Sequence, residues 1–213
     1  MELSVYVNGM RGRMGQAIQN IAALDPALSL CQTLEQADVA LDFSAPAALK
    51  NLLEKCAHHK KPVVIGTTGH APESKADLLA ASQHIPILFS PNFSLGVAVS
   101  LEAAKLIGQH LQGLCQIEIV EAHHQTKKDR PSGTALALAK AAGCENAPIH
   151  SIRAGDIVGE HTIYFVMGGE RIELKHHAQS RDAFARGALL AAKFLKTKPP
   201  GFYTIKDMLH EPR

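Results

Sequence analysis

Short apolar runs alternate with amphipathic stretches along the first 93 residues of the chain. Most of these runs end in a turn that contains glycine, proline, serine or asparagine, and helical spacing of apolar residues often follows. The pattern predicts strands at Leu3–Val7, Leu28–Leu34, Val39–Phe43, Pro62–Ile65 and Ile85–Phe89. It predicts helices at Met14–Leu24, from Ser44 to about His58–Lys61, and at Pro72–Ser82. This alternation is typical of a parallel sheet with helices on both faces.

The pattern changes after residue 94, where one long apolar helix is followed by strands with more polar alternation. The helix spans Ser94–Gln112, and the strands are predicted at Gln116–Ala122, Ile149–Ala154, His161–Met167 and Glu170–His177. Gly168-Gly169 is a hairpin signal between the last two strands. A helix at Ser132–Ala142 interrupts the strands, and a final helix at Arg181–Lys196 precedes a short tail. We expect a second, α+β domain here.

The composition of the chain mainly argues against certain partners and certain kinds of site. The net charge of +2, with 22 scattered Lys and Arg residues, argues against a nucleic-acid partner. The four cysteines are far apart and form no C-x-x-C pair, which favours reduced thiols over a disulfide framework or a zinc site. The N-terminal residues read as a strand rather than a leader, and no apolar run reaches the roughly 18 residues that span a bilayer. We therefore expect a soluble cytoplasmic protein without membrane contact.

A glycine-rich turn, Gly9-Met10-Arg11-Gly12-Arg13-Met14-Gly15, follows the first predicted strand and opens a helix. The spacing is not the usual G-x-G-x-x-G, but the context suits a dinucleotide, because glycine admits the pyrophosphate and the helix N-terminus offers free N–H groups. The alternative is a turn without a ligand. Glu35, at the end of the second predicted strand, is either the acceptor for the ribose hydroxyls or a solvated side chain.

The stretch from Glu121 to Leu136 is the most informative source of candidate catalytic and binding residues. Its five basic side chains are His123, His124, Lys127, Lys128 and Arg130, and Pro131-Ser132-Gly133-Thr134 then opens an apolar helix. Hydroxyls and free N–H groups at that helix start form an anion receptor, so a substrate with two carboxylates is the natural guest. If the substrate contains a reducible C=N bond, a histidine beside that bond can also supply, at neutral pH, the proton that accompanies the hydride.

Other interpretations of the histidines stay open. Adjacent histidines are commonly surface or packing residues, and His123 and His124 can share one site only if the strand has ended by then. The residue spacing does not favour a metal site, so we expect none. His176-His177, at the end of a strand, has no anion receptor after it, and we expect a mainly structural role for this second pair; the alternative is that it reaches the cleft.

Taken together, these motifs resemble the 4-hydroxy-tetrahydrodipicolinate reductase family, long called dihydrodipicolinate reductases. The resemblance runs in order along nearly the whole chain, through Val7–Gly15, Asp42–Ser44, Gly66–Gly69, Ser90–Val97, Glu121–Leu136 and Gly169–Ala188. Glu-Ala-His-His followed by a lysine and Pro-Ser-Gly-Thr-Ala is its most specific part.

The resemblance implies an α/β fold: a Rossmann-like parallel-sheet nucleotide domain, residues 1–93 plus 182–213, and an α+β substrate and tetramerisation domain, residues 94–181. It implies an oxidoreductase of lysine and diaminopimelate biosynthesis, a homotetramer that uses NADH or NADPH to reduce a small cyclic dicarboxylate with loss of water. His123 and Lys127 are then the catalytic pair, and the substrate contacts are His124, Ser132, Gly133 and Thr134. The implied cofactor contacts are Gly9, Arg11, Gly12, Arg13, Met14, Glu35, Gly66, Thr68, Ser90 and Phe93.

The chain departs from the family pattern in two ways. About thirty family residues between the acid of the second strand and the strand ending in Asp-Phe-Ser are missing here, by that resemblance, and Gln36 stands where an arginine often follows the acid. These departures leave open cofactor preference and a second hypothesis, a relative that keeps nucleotide binding and the tetramer without turnover. A third hypothesis is a different oxidoreductase on the same architecture.

Overall fold

The structure is a computed structural model that describes residues 2–211 of the 213-residue chain. The chain divides into two compact units. The discontinuous unit comprises Met1–Phe93 and Phe184–Arg213, and the central unit comprises Ser94–Ala183. No helix within residues 2–211 is long and apolar enough to cross a membrane.

The discontinuous unit is built on a six-stranded sheet in the order β10-β5-β4-β3-β1-β2, in which every pair is parallel. The strands are β1 Leu3–Asn8, β2 Leu28–Leu30, β3 Val39–Asp42, β4 Val63–Ile65, β5 Pro86–Phe89 and β10 Gly201–Tyr203. The helices are α1 Arg13–Ala22, α2 Leu49–His58 after a 3-10 turn at Pro46–Ala48, α3 Ser74–Ser82, most of α6 Asp182–Leu195, and α7 Ile205–Leu209. The central strands β3 and β4 are buried along their whole length, as expected for a sheet covered on both faces.

Two elements of this sheet differ from the prediction. The second strand ends at Leu30, not Leu34, although Leu34 is buried and belongs to the same core cluster as Leu49 and Leu53. Leu34 therefore reaches the core from a turn, and its apolar character does not indicate an extended backbone. The tail contributes β10, a three-residue edge strand paired with β5, which is too short to show a periodic pattern.

The central unit pairs a four-stranded sheet, in the order β7-β6-β8-β9, with two helices. The strands are β6 Gln116–His123, β7 Ile149–Arg153, β8 Gly159–Met167 and β9 Glu170–Ala178, and the helices are α4 Leu95–His110 and α5 Gly133–Ala141. Apolar side chains of the helices and of one sheet face, among them Ala104, Leu138, Ile119 and Phe165, form a single core cluster. The opposite face of the sheet carries the alternate residues of each strand.

The first two strands of this sheet form a βαβ unit. β6 and β7 are parallel, with α5 in the connection between them, whereas β6–β8 and β8–β9 are antiparallel. Parallel strands end at the same edge of a sheet, so the carboxyl ends of β6 and β7 lie side by side. His123 is paired with Arg153 at this edge.

Candidate active site and nucleotide-binding loop

The glycine-rich turn has no room for a side chain at Gly9 or Gly15. Gly9 has φ +93°, and a Cβ there would lie 2.4 Å from the Phe43 carbonyl oxygen. A Cβ on Gly15 would lie 2.4 Å from the Met10 carbonyl oxygen. Helix α1 begins at Arg13 with Gly12 as its N-cap, a residue that has no side chain to occupy the first N–H groups. The turn and the helix start therefore leave backbone donors available to an anion.

The cofactor residues predicted after later strands lie at the same edge of the sheet. β1, β3, β4 and β5 are parallel, so their carboxyl ends lie at one edge of the sheet. Gly9, Gly66 and Ser90 follow the carboxyl ends of β1, β4 and β5. A Cβ on Gly66 would lie 2.1 Å from the Phe43 ring, which explains the glycine sterically. Ser90 and Phe93 are buried, whereas Thr68 and Arg11 are exposed.

A buried carboxylate, Asp42 at the end of β3, organises this edge. It accepts hydrogen bonds from Asn8 Nδ2 at 2.8 Å, Ser44 Oγ at 2.6 Å and Thr67 Oγ1 at 2.7 Å. These bonds connect the end of β1 and the turns after β3 and β4 to one buried side chain. Asp42 was not among the predicted site residues, although it belongs to the Asp-Phe-Ser motif of the family resemblance.

Glu35 is not at the end of a strand. It lies in the turn between β2 and β3, five residues beyond Leu30, and its carboxylate is 3.1 Å from His59 Nε2. Hydrogen bonds with its own backbone and with Thr33 lower the pKa of Glu35, and the carboxylate is exposed. The expected position at a strand end is wrong, because the strand is shorter than its apolar pattern.

The last residue of β6, His123, belongs to a buried charged group. His123 Nδ1 is 2.5 Å from Glu121 Oε2, and Glu121 is fully buried. Arg153 Nη1 and Nη2 donate to Glu121 Oε2 and Oε1 at 2.9 and 2.7 Å, a two-pronged contact. An ionised carboxylate can only accept, so Nδ1 of His123 is the donating nitrogen.

Burial and charge oppose each other in this group. Burial lowers the pKa of His123, and Glu121 raises it in part, while Lys127 and Arg153 lower it further. Burial acts to raise the pKa of Glu121, but hydrogen bonds from Arg153, Ser151 and His123 leave it below its ordinary value. Glu121 is therefore an anion at neutral pH.

The basic loop after β6 is held by its own contacts. β6 ends at His123, so His124 lies beyond the strand, and its Nδ1 is 2.8 Å from Thr126 Oγ1. Lys127 Nζ is 2.9 Å from Asp129 Oδ1, and the Asp129 carbonyl accepts a hydrogen bond from Arg153 Nη2 at 2.6 Å. The structure thus connects the loop that carries Lys127 to the group around His123.

Helix α5 begins at Gly133, with Ser132 as its N-cap. Ser132 Oγ accepts from the Ala135 N–H at 3.2 Å and lies 3.1 Å from His161 Nε2. Gly133 is exposed, and no atom would lie within 4 Å of a Cβ there. Ser132, Gly133 and Thr134 therefore start a helix whose first turn, Gly133-Thr134-Ala135-Leu136, has no carboxylate of its own.

His161 and His176, which were not among the predicted site residues, complete this region. Glu121, His161 and His176 are opposite one another on neighbouring strands, and the His123 and His161 rings are 5.1 Å apart. Burial, with repulsion from His123 and His176, lowers the pKa of His161 to about 3, so its ring is neutral. Burial also lowers the pKa of His176. His176 Nε2 is 3.1 Å from Ser94 Oγ, the N-cap of α4.

Three of these side chains have the spacing of a metal site. One ligand atom from each of Glu121, His123 and His161 lies within 4.8 Å of the other two. The Arg153 guanidinium occupies both carboxylate oxygens of Glu121, however, and would repel a cation bound there. The geometry favours an ion pair with a hydrogen-bonded histidine over a metal centre.

Comparison with known proteins gives the family. The chain is 42% identical to the 4-hydroxy-tetrahydrodipicolinate reductase of Xanthomonas campestris pv. campestris (strain B100), over 97% of this chain and 98% of that protein. The chain belongs to the 4-hydroxy-tetrahydrodipicolinate reductase family. The enzyme of that name from Akkermansia muciniphila is 38% identical over 97% of the chain. The family models described as "Dihydrodipicolinate reductase, N-terminus" and "Dihydrodipicolinate reductase, C-terminus" match residues 27–93 and 96–209.

Solved structures bear out the fold predicted for a reductase of this family. A dipicolinate-bound dihydrodipicolinate reductase from Paenisporosarcina sp. TG-14 superposes with a TM-score of 0.80 at 21% identity, covering 96% of this chain and 98% of that one. A structure described as a DAP dehydrogenase from C. glutamicum in complex with DAP has a TM-score of 0.56 at 10% identity, over 100% of this chain and 97% of that one. The alignment with the Xanthomonas reductase is 233 positions long, so this 213-residue chain is a shorter member of the family.

Proposed function

We propose that this protein reduces 4-hydroxy-tetrahydrodipicolinate to tetrahydrodipicolinate, with loss of water, in lysine and diaminopimelate biosynthesis. The observation that supports the proposal best is the position of His123, which is buried against the Glu121–Arg153 pair, with its ring 5.1 Å from the ring of His161. His161 Nε2 is in turn hydrogen-bonded to Ser132, the N-cap of the helix that we propose as an anion receptor. Family membership supports the same reaction.

The discontinuous unit suits a pyridine nucleotide, NADH or NADPH. Gly9 and Gly15 have no room for side chains, and the N-terminus of α1 offers its N–H groups to a pyrophosphate. Gly9, Gly12, Arg13, Met14, Gly66, Ser90 and Phe93 would line the cofactor from the turns that follow β1, β4 and β5, with exposed Arg11 and Thr68 beside them. When bound, the nucleotide supplies a hydride to a carbon of the substrate. Because Glu35 faces His59, we propose that the ribose depends less on this carboxylate than the family pattern implies.

The central unit suits a small dicarboxylate. Ser132, Gly133 and Thr134 would bind one carboxylate at the start of α5, where free N–H groups and the helix dipole favour an anion. Lys127 and His124, in the loop that follows β6, would bind the second. The reductase from Paenisporosarcina was solved with dipicolinate bound, which is a ligand of this chemical class.

His123 would supply the proton that accompanies hydride transfer. Its Nδ1–H is committed to Glu121, so Nε2 is the nitrogen that exchanges a proton with the substrate. Lys127 adds positive charge near the ring and lowers its pKa, which makes the imidazolium a stronger acid.

The test is reduction of enzymatically made substrate by the purified protein, followed as loss of NADH or NADPH absorbance. We expect His123→Ala and Lys127→Ala each to lower kcat by about 10²-fold or more while the proteins stay folded, the usual range for loss of a general acid or its partner. Full kcat in both variants would remove these two residues from the reaction, and a wild-type protein that consumes neither cofactor would refute the proposed function.

Two further parts of the proposal concern the assembly and its location. We propose a homotetramer built through the sheet of the central unit, because Ile152 and Val166 expose apolar side chains on the face of the sheet that lies away from α4 and α5. We also propose a cytoplasmic location, the compartment expected from the sequence. Light scattering should give four times the chain mass, and Val166→Asp should lower it. A monomeric wild type would contradict this part.

A further inference from the structure

The pair formed by Arg153 and Glu121 is closed off from water, and the terminal nitrogen and oxygen atoms of the two side chains are hydrogen-bonded. The Arg153 side chain is 1% exposed and the Glu121 side chain 0%. The guanidinium donates to both oxygens of Glu121, to the carbonyl of Asp129 at 2.6 Å and to its own neighbour Ile152 at 2.7 Å. One charged group of β7 therefore binds both the strand that carries His123 and the loop that carries Lys127.

Stability alone does not account for this arrangement. Desolvation of two charges commonly cancels their attraction, and apolar side chains of similar volume would fill the space at equal or better stability. A buried ion pair fixes geometry, however, because its hydrogen bonds have defined directions. The groups that such a geometry would serve here are His123 and Lys127.

We propose that Glu121 and Arg153 are positioning residues for the reductase reaction, which hold His123 in the tautomer with a proton on Nδ1 and hold the loop that carries Lys127. The proposal rests on the proposed function for its catalytic meaning. Glu121 accepts from Nδ1 and turns Nε2 towards Gly159, where a Cβ would lie 3.1 Å from that nitrogen. Arg153 keeps the carboxylate ionised and in place, and its bond to the Asp129 carbonyl fixes the loop at two residues from Lys127.

The other charged and titratable groups around the His123 ring do not replace this function. His161 on β8 faces the ring but is neutral at working pH, and His176 on β9 lies beyond it. Lys127 repels the imidazolium. Glu121 is therefore the group that selects the Nδ1–H tautomer, and a purely structural pair would leave that tautomer unchanged when it is removed.

The experiment compares the wild type with the double variant Glu121→Gln/Arg153→Met, which removes both charges together and leaves no buried charge unpaired. ¹⁵N-labelled histidine spectra report the tautomer of His123 in the free protein, independently of catalysis. We expect the Nδ1–H form in the wild type and a mixed population in the variant. We also expect kcat to fall about 10²-fold, with KM for both substrates within about threefold, as for a displaced general acid. Glu121 raises the pKa of His123 more than Arg153 lowers it, so removal of both should move down the pH above which kcat declines.

Arg153→Lys is the second variant and keeps the positive charge with fewer directed bonds. It covers the case in which the double variant fails to fold, and we expect its kcat and its tautomer population to lie between those of the wild type and the double variant. The control is Asp25→Asn/Lys193→Met, which removes an exposed pair 3.9 Å apart in the other unit and should match the wild type throughout.

An unchanged Nδ1–H tautomer with kcat within threefold of the wild type, in the double variant or in Arg153→Lys if the double variant does not fold, would overturn the proposal. A wild type without reductase activity would count against the proposed function alone. The tautomer of His123 could still be compared between the wild type and the variants, because that measurement does not depend on catalysis. Loss of activity with an unchanged tautomer would assign the pair a structural role and would also overturn the proposal.

Discussion

Substitution of Ser132 by alanine tests the anion receptor at the start of α5. The hydroxyl caps the helix through the Ala135 N–H, and loss of such a cap costs about 0.5–2 kcal/mol. The same oxygen is the partner of His161 Nε2, and a buried nitrogen left without a partner costs about 1–3 kcal/mol. We therefore expect Ser132→Ala to lower the free energy of unfolding by about 1.5–5 kcal/mol, measured by urea denaturation.

Substrate binding should change as well. A hydrogen bond from the hydroxyl to a carboxylate is worth about 1.5–3 kcal/mol, so KM should rise about 10- to 150-fold with kcat less affected. Ser94→Ala is the matched control, because Ser94 is the N-cap of α4 and lies 3.1 Å from His176 Nε2. It should cost similar stability and change KM by less than about threefold. Equal KM changes in both variants would refute the reasoning, because the effect would then come from the lost cap.

The remaining predictions concern the cofactor loop and acid stability. Gly9→Ala should abolish nucleotide binding in a fluorescence titration, because φ is +93° and the new Cβ would meet the Phe43 carbonyl at 2.4 Å; ordinary affinity would exclude the turn from the cofactor site. His161 has a pKa of about 3 in the folded chain against 6.5 when unfolded, so protonation favours the unfolded state and stability falls as pH drops below about 6.5. Between pH 6 and 5 the wild type should lose up to about 1.4 kcal/mol more than His161→Gln in urea denaturation; equal losses would contradict the assignment.

The parallel sheet could be predicted from sequence because its strands are short apolar runs that end in recognisable turns. Val63–Ile65 and Val39–Asp42 are buried throughout, so burial and secondary structure give the same signal there. Leu34 breaks that agreement, since a turn residue fills the core, and the prediction for Glu35 failed with it. The spacing of apolar residues indicates which positions are buried. It indicates the backbone conformation only where the buried residues also belong to a regular strand or helix.

Part of the candidate site was missed although the sequence held the signal. Residues two apart on a strand share a face, so Glu121 and His123 could have been paired. A two-residue hairpin at Gly168-Gly169 sets residues equidistant from it opposite each other, which pairs His161 with His176.

Arg153 could not have been found in the same way. Its contact with Glu121 depends on the parallel pairing of β6 and β7, which are separated by α5 and its loops. No local pattern sets the register of strands joined by such a crossover. The part that Arg153 plays in holding Glu121 therefore follows from the structure alone.

The discontinuous unit has a consequence for the order in which the chain folds during synthesis. Side chains of α6, among them Ala188 and Leu195, share a core cluster with Val5 and Val7 of the first strand. The ribosome synthesises α6 only after the entire central unit. Part of the core formed by the first 93 residues therefore stays exposed during synthesis, whereas residues 94–183 can already bury their own core. Nascent chains stalled before α6 should therefore be bound by chaperones at the first strand and helix, and released once α6 emerges.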